Sequence, residues 1–228
     1  YYNNRHEGSS GPIASSTNIE KAIEKFLVAI QNPNQEKDAA IYLLKSYYYY
    51  AEFAIESIEK KKQIFDKGKE LGAIYIHKYP EIVEFRYWYL VNLGSWANVY
   101  GILAAAREGV ADQMKIHSEK IIEINPKFKD GGGYFMLGAT HYKSPYIPFL
   151  LSWPDNDEAI KYLTKAYDTG LSTPSQTVYL SRALYKDKQS DRAKSMLVGL
   201  LKQPYSEKDK VEDFDQYQIA KNLLEEWK

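Results

Sequence analysis

Between Asn125 and Tyr142 the chain runs through Asn-Pro, then Asp130-Gly131-Gly132-Gly133, then a helical pattern of Tyr134, Leu137, Gly138, His141 and Tyr142. A glycine inside a helix costs about 0.5–1 kcal/mol relative to alanine, so Gly138 needs a physical reason. A second helix lying too close for a methyl group supplies one. The stretch therefore reads as a junction between packed helix hairpins. Asn125-Pro126 closes one helix, two of the glycines take positive φ in the turn, and Tyr134 begins the next helix.

The rest of the chain reads as helices in series. Thr17 with Glu20 three residues on gives a capping-box start, and Ile19, Ala22, Ile23, Phe26, Leu27 and Ile30 supply an apolar stripe that ends before Pro33. A second helix is predicted from Gln35 to Phe53, with Tyr47 to Tyr50 pointing all round it. A charged helix follows over 56–78. Pro80 is expected as the first residue of a strongly apolar helix carrying Phe85, Trp88, Leu90, Leu93, Gly94 and Trp96. Further helices fit 110–124, the stretch after Gly133, the Asp155/Glu158 capping signal onward, 174–187, 190–203 and 206–227. Between Lys143 and Pro154, three prolines interleave with Tyr146, Phe149, Leu150 and Trp153. This loop is expected to pack on the body, or else to await a partner.

Prolines at 33, 80 and 126 close helices at intervals of 47 and 46 residues, which read as two-helix units whose period exceeds the usual one of about 34 through lengthened helices or loops. Ala22/Phe26/Ala29/Pro33, Leu137-Gly138 and Ala159/Leu163/Ala166 resemble the tetratricopeptide pattern, and Leu93-Gly94 and Ala193/Leu197/Pro204 match it in part. The predicted fold is all-α, a tetratricopeptide-like α-solenoid of about four to five antiparallel hairpins with a C-terminal capping helix. Residues 1–17, rich in Asn, Ser and Gly, are expected to form a flexible leader, and 18–228 the repeat domain. In this architecture the first helices of successive hairpins line the concave face. Aligning the chain on Leu93 and Leu137 places Trp88, Val91, Ser95 and Asn98 there from one unit, and Phe135, Ala139, Tyr142 and Lys143 from the next. These eight are the ligand- or partner-binding candidates.

Thirty basic and thirty acidic residues cancel, which argues against a nucleic-acid partner, and no apolar run of about 18 residues is present to span a membrane. With no cysteine, thiolate metal sites and thiol nucleophiles are excluded. No nucleophile elbow, HExxH pair or phosphate-cradling glycine loop occurs, and Asp155-Asn156-Asp157 lacks the glycine and closing glutamate of a calcium loop. The four histidines are isolated in sequence. The chain is expected to be no enzyme and to hold no cofactor or metal.

Tyr87-Trp88, Asn92, Gly94, Asn125-Pro126, the Gly131–Gly133 turn, Leu137-Gly138, Tyr142, Pro145, Pro148 and the Ala159-to-Ala166 stripe together resemble the T-component proteins of tripartite ATP-independent periplasmic (TRAP) transporters. They resemble the eukaryotic regulators of microtubule dynamics more weakly. Gly133 and Phe135 stand where the former family carries Pro and Arg. The resemblance implies a periplasmic protein, lipid-anchored through a removed N-terminal segment. It would dock a solute-binding protein, hold an apolar or organic-acid ligand, and form a homo-oligomer. The alternatives from the residues alone are a general scaffold for protein–protein interaction in either compartment, and a structural oligomer.

Overall fold

The computed structural model describes residues 1–147, 149, 151–170 and 172–228; Pro148 and Leu150 of the proline-rich loop lie outside them. Among the described residues there are eleven α-helices, a 3-10 turn at Tyr2–Asn4 and a π turn at Tyr50–Ala54, with two isolated bridges and no strand. The helices are α1 (Ser16–Ala29), α2 (Glu36–Tyr49), α3 (Ile58–Lys78), α4 (Val83–Tyr100), α5 (Ile102–Arg107), α6 (Val110–Ile124), α7 (Gly132–Lys143), α8 (Asn156–Thr169), α9 (Pro174–Lys186), α10 (Ser190–Leu200) and α11 (Lys210–Glu226). The all-α hairpin class expected from the sequence is the one observed. The chain divides into two compact units, Tyr1–Gln113 and Met114–Lys228.

In the first unit α1 pairs with α2 and α3 with α4, and α2 also packs on both α3 and α4. The tyrosine run resolves as its spacing implies, with Tyr47 and Tyr49 buried and Tyr48 and Tyr50 half-buried. The helix then widens into the π turn, which continues burial through Ala51 and Phe53. Gly68 and Gly72, one turn apart on α3, let α4 come close: a Cβ on Gly68 would lie 2.2 Å from Asn92 Oδ1, and one on Gly72 2.9 Å from Tyr89 Cβ. Asn92 is fully buried and donates through Nδ2 to the carbonyls of Leu44 (3.1 Å) and Trp88 (2.8 Å), tying α4 to α2.

Three expectations for this unit are corrected. Thr17 and Glu20 do not form the cap of α1; its N-cap is Ser15, whose hydroxyl accepts from Thr17 N–H (3.4 Å). Pro80 does not begin α4; it sits in the preceding turn, where its carbonyl accepts from Nε and Nη2 of buried Arg86 (3.1 and 2.9 Å). The leader is not free chain. Arg5 is 3% exposed, its guanidinium 4.9 and 5.1 Å from the ring centres of Tyr2 and Tyr49, while Tyr49 donates its hydroxyl to the Arg5 carbonyl. Ala14 N–H bonds the Phe53 carbonyl, so the end of the π turn is the anchor for the segment. Its polar composition suggests solvation, but the Arg5 contacts with Tyr2 and Tyr49 and the Ala14–Phe53 bond together seat it.

In the second unit α7 pairs with α8 and α9 with α10, and α11 packs on α9 and α10 as the expected cap. Ala159, Leu163, Val178, Ala183, Leu184, Ala193 and Leu197 are fully buried and share one core with Tyr217, Ala220 and Trp227 of the cap. Gly138 behaves as its sequence position demands: a Cβ there would meet Leu163 Cγ at 2.7 Å, Leu163 N at 2.9 Å and the Ala159 carbonyl at 3.1 Å. The turn before α7 differs from expectation. Only Gly131 takes positive φ (81°), together with Lys129 and Asp130; Gly132 and Gly133 are already helical. Gly133 is needed for space, since its Cβ would lie 2.9 Å from both Ile121 and Ile122.

Asp155 caps α8 as read, its Oδ1 accepting from the backbone of Asp157 (2.8 Å) and Glu158 (3.1 Å). The proline-rich loop divides in two. Trp153 packs edge-on against His141, ring centres 4.9 Å apart, whereas Tyr146 and Phe149 are exposed.

Candidate functional site

The eight candidate residues fall in both units, four on α4 and four on α7. On α4, Ser95 is buried, Trp88 and Val91 are half-buried and Asn98 is exposed. α4 is the second helix of the α3/α4 hairpin and packs on α2 as well. Carrying the register of Leu137 over to Leu93 treated α4 as a first helix. Trp88 shows the consequence: it lies against the core made by Ala40, Leu44, Tyr75 and Phe85, with Tyr48 and Tyr87 as ring neighbours at 6.3 and 5.4 Å. Lys45 places its ammonium 5.6 Å from the Trp88 ring.

The α7 candidates come together with residues that the sequence reading missed. Phe135 and Tyr142 lie seven residues apart, two turns along one face of α7, and both meet Tyr179 of α9 edge-on, at 5.3 and 6.2 Å between ring centres. Ala139 between them is buried, which lets α9 approach. Three cations border these rings. Lys143 Nζ and Arg182 Cζ each lie 6.0 Å from the centre of the Tyr179 ring, and Lys186 Nζ lies 5.7 Å from that of Tyr142.

Lys143 and Lys186 are exposed and Arg182 half-exposed, an arrangement in which apolar stems cover the rings and the charged heads stay in water. Burial raises the Tyr142 hydroxyl above its ordinary range, an effect that the charge of Arg182 partly offsets and those of Tyr179 and Glu226 reinforce. Tyr142 is therefore a neutral donor at physiological pH.

The face exists because α9 is held in register. Thr173 and Gln176 form a reciprocal capping box (2.9 and 3.2 Å), Pro174 occupies the first helical position, and buried Gln176 donates through Nε2 to the Asp130 carbonyl (2.7 Å). Tyr179, Arg182 and Lys186, at i, i+3 and i+7, then share a side of α9. That spacing behind a capping box was the available sequence signal.

Other polar clusters look structural. Asp66 accepts from Trp96 Nε1 and the Tyr100 hydroxyl, each at 2.7 Å, and Glu36 accepts from Tyr75, Tyr79 and Lys78. Buried His141 accepts the Asp155 N–H at Nδ1 (3.2 Å), and its burial pulls its pKa below the usual histidine range. Among the described residues no group of three or more His, Asp or Glu is disposed to hold a metal, and no helix is long and apolar enough to cross a membrane.

No model of a known protein family matches the sequence, and no curated protein matches it. Among solved structures the chain is similar to a thermophilic TPR protein of Thermus thermophilus, with a TM-score of 0.63 and 14% sequence identity over 91% of this chain and 92% of that one. At that identity the likeness is one of fold. The fold is tetratricopeptide-like: helix hairpins in each unit, with a final helix covering the last hairpin of the second.

Proposed function

We propose that this chain is a non-enzymatic docking protein, a helical-repeat scaffold that binds another protein through side chains on its hairpin helices. The observation that carries this reading is the α7/α9 face, where Phe135, Tyr142 and Tyr179 are only partly covered and Lys143, Arg182 and Lys186 border them. Aromatic residues beside arginine are the side chains that most often dominate protein interfaces. The tetratricopeptide-like fold supports the same reading, since such folds generally serve in protein–protein contact; fold by itself does not define a partner.

In its finer form the proposal is docking to a periplasmic solute-binding protein in TRAP-type transport, with an apolar or organic-acid ligand held in passing. The support for that form is the sequence resemblance quoted above. The test is affinity purification of the full-length protein from its own cells under mild detergent, with mass spectrometry of its N-terminus and of what accompanies it. A solute-binding protein bound to wild type and weakened by Tyr142→Ala is the expected result. An unmodified cytosolic chain carrying other partners would remove transport and leave the general scaffold.

A further inference from the structure

We infer that the α1/α2 hairpin carries a docking seat for an aromatic-x-x-Arg turn of a partner protein, and that residues 2–5 of this chain fill the seat in cis as a displaceable strap. The seat belongs to the first unit, and it stands or falls independently of the α7/α9 face.

The body of the unit reads the strap through three residues on two helices. Tyr42 and Tyr49 are seven residues apart on α2, two turns along one side of that helix. Tyr42 meets the Tyr2 ring edge-on, with ring centres 5.4 Å apart. Tyr49 holds the Arg5 guanidinium 5.1 Å from its ring centre and donates its hydroxyl to the Arg5 carbonyl at 3.2 Å. Asn18 of α1 donates through Nδ2 to the Asn4 carbonyl at 2.9 Å. On the strap, Tyr2–Asn4 form a 3-10 turn closed by the Arg5 N–H on the Tyr2 carbonyl (3.1 Å), and the Tyr2 ring centre lies 4.9 Å from the same guanidinium. The cation is therefore held between one ring of the body and one ring of the strap. Side chains and main chain are both recognised, as in the capture of a peptide ligand. A planar guanidinium stacks on aromatic faces in a way that an ammonium does not, which selects arginine over lysine.

The strap is anchored at few points. Among residues 1–15 only Arg5 and Ala14 are buried. A cleft of about 220 Å³ stays open between Tyr1, Tyr2 and Asn3 of the strap and Phe26 and Tyr42 of the body. Between the two buried residues the chain passes Gly8, Ser9, Ser10 and Gly11, with both glycines at positive φ, and Gly/Ser composition makes a flexible tether. A segment on a short tether competes at an effective concentration in the millimolar range. A free ligand of the same chemistry therefore binds weakly until the strap is weakened or drawn away.

The experiment titrates the fluorescein-labelled peptide Tyr-Tyr-Asn-Asn-Arg-His-Glu, the sequence of residues 1–7, into the full chain and into Tyr2→Ser/Arg5→Ser, which empties the seat. Arg5→Gln, a milder change, guards against a folding defect in the double variant, and melting curves are recorded for all. Saturable binding to the double variant is expected, at least tenfold tighter than to wild type, with Arg5→Gln intermediate. Lysine in place of the peptide's arginine should weaken binding at least fivefold, and so should Tyr42→Ala added to the emptied chain.

The inference is overturned if the peptide binds neither the double variant nor Arg5→Gln more tightly than wild type. A lysine peptide that binds as well as the arginine one, or a Tyr42→Ala chain that binds undiminished, would overturn it as well. Sedimentation decides where the occupant comes from. A mass unchanged by Tyr2→Ser/Arg5→Ser is expected; a dimer of wild type that the double substitution abolishes would show straps exchanging between two copies and overturn the assignment to a partner protein.

Discussion

The α3/α4 and α7/α8 hairpins both use glycine to bring two helices together, and they close the gap in different ways. On α7, Gly138 faces the backbone of α8 directly, with Leu163 N and the Ala159 carbonyl within 3.1 Å of a notional Cβ. On α3, Gly68 faces a side chain, that of Asn92, whose amide reaches on to the Leu44 carbonyl of α2. The first contact is steric, made by the Leu163 side chain and the α8 backbone, and depends on two helices alone. The second is a polar key through three helices. A backbone contact tolerates no substitution at the glycine, whereas a side-chain contact can be relieved by changing the partner residue.

The largest expected effect is from Gly138→Leu, which overpacks a site that has no free volume. A loss of about 3 kcal/mol or more is expected in denaturant unfolding, at or beyond the upper end of ordinary overpacking. A wild-type melting curve would sink the packing role given to Gly138. Gly68→Ala should cost less, about 1–3 kcal/mol, and the difference lies in its rescue. Adding Asn92→Ala should recover part of that loss through a measurable coupling in a double-mutant cycle, while Leu163→Ala should recover a smaller share of the Gly138→Ala loss, because it relieves the contact with Leu163 Cγ and leaves those with Leu163 N and the Ala159 carbonyl. Equal coupling in the two cycles would erase the distinction.

Next in size is Asn92→Ala alone, which deletes two buried hydrogen bonds and leaves the Leu44 carbonyl short of one partner; about 1–3 kcal/mol is expected. Asp155→Ala removes the α8 cap and should cost about 1 kcal/mol, with hydrogen exchange quickening first at Asp157 and Glu158.

The smallest effects separate the units by pH. His141 has a folded pKa below its unfolded value near 6.5, set first by burial, against the opposing fields of Glu158 and Asp155, while the Lys115 charge lowers it a little further and that of Glu119 raises it. Below that pH the unfolded chain takes up a proton that the folded chain does not, so stability present above about 6.5 is lost as pH falls. Glu36 is also depressed, by its bond from Lys78 above all, and its contribution is lost only as pH falls below about 4.5 towards the folded value. Melting curves from pH 7.5 to 3.5 should show a limb below 6.5 that His141→Phe flattens, and a separate one below 4.5 that Glu36→Gln flattens. If either substitution leaves its limb unchanged, that assignment is wrong.

Much of the hairpin architecture was legible. Gly138, the Ala159/Leu163/Ala166 stripe and the Asp155 cap are each set by neighbours within a few turns or by one helix contact, and a sequence displays such patterns directly. Of the proposed α7/α9 face, Phe135 and Tyr142 are named by the register of α7, whereas Tyr179, Arg182 and Lys186 come from a helix some 40 residues on. Nothing local says that α9 will lie beside α7. The register of α4 is a related case: Leu93-Gly94 looks like Leu137-Gly138, and only pairing with α3 shows that α4 is a second helix.

The sequence by itself determined that this chain is built of helices, where most of them begin and end, and that glycine must stand at Gly138, because helix periodicity, capping and steric cost act over short spans. Tertiary structure alone decided that Gly68 and Gly72 face Asn92 and Tyr89, that Arg5 is seated between two tyrosines, and that three cations converge on the rings of α7 and α9. Each of those depends on which surfaces meet across long separations, and the free energy of such meetings is not carried by any one segment.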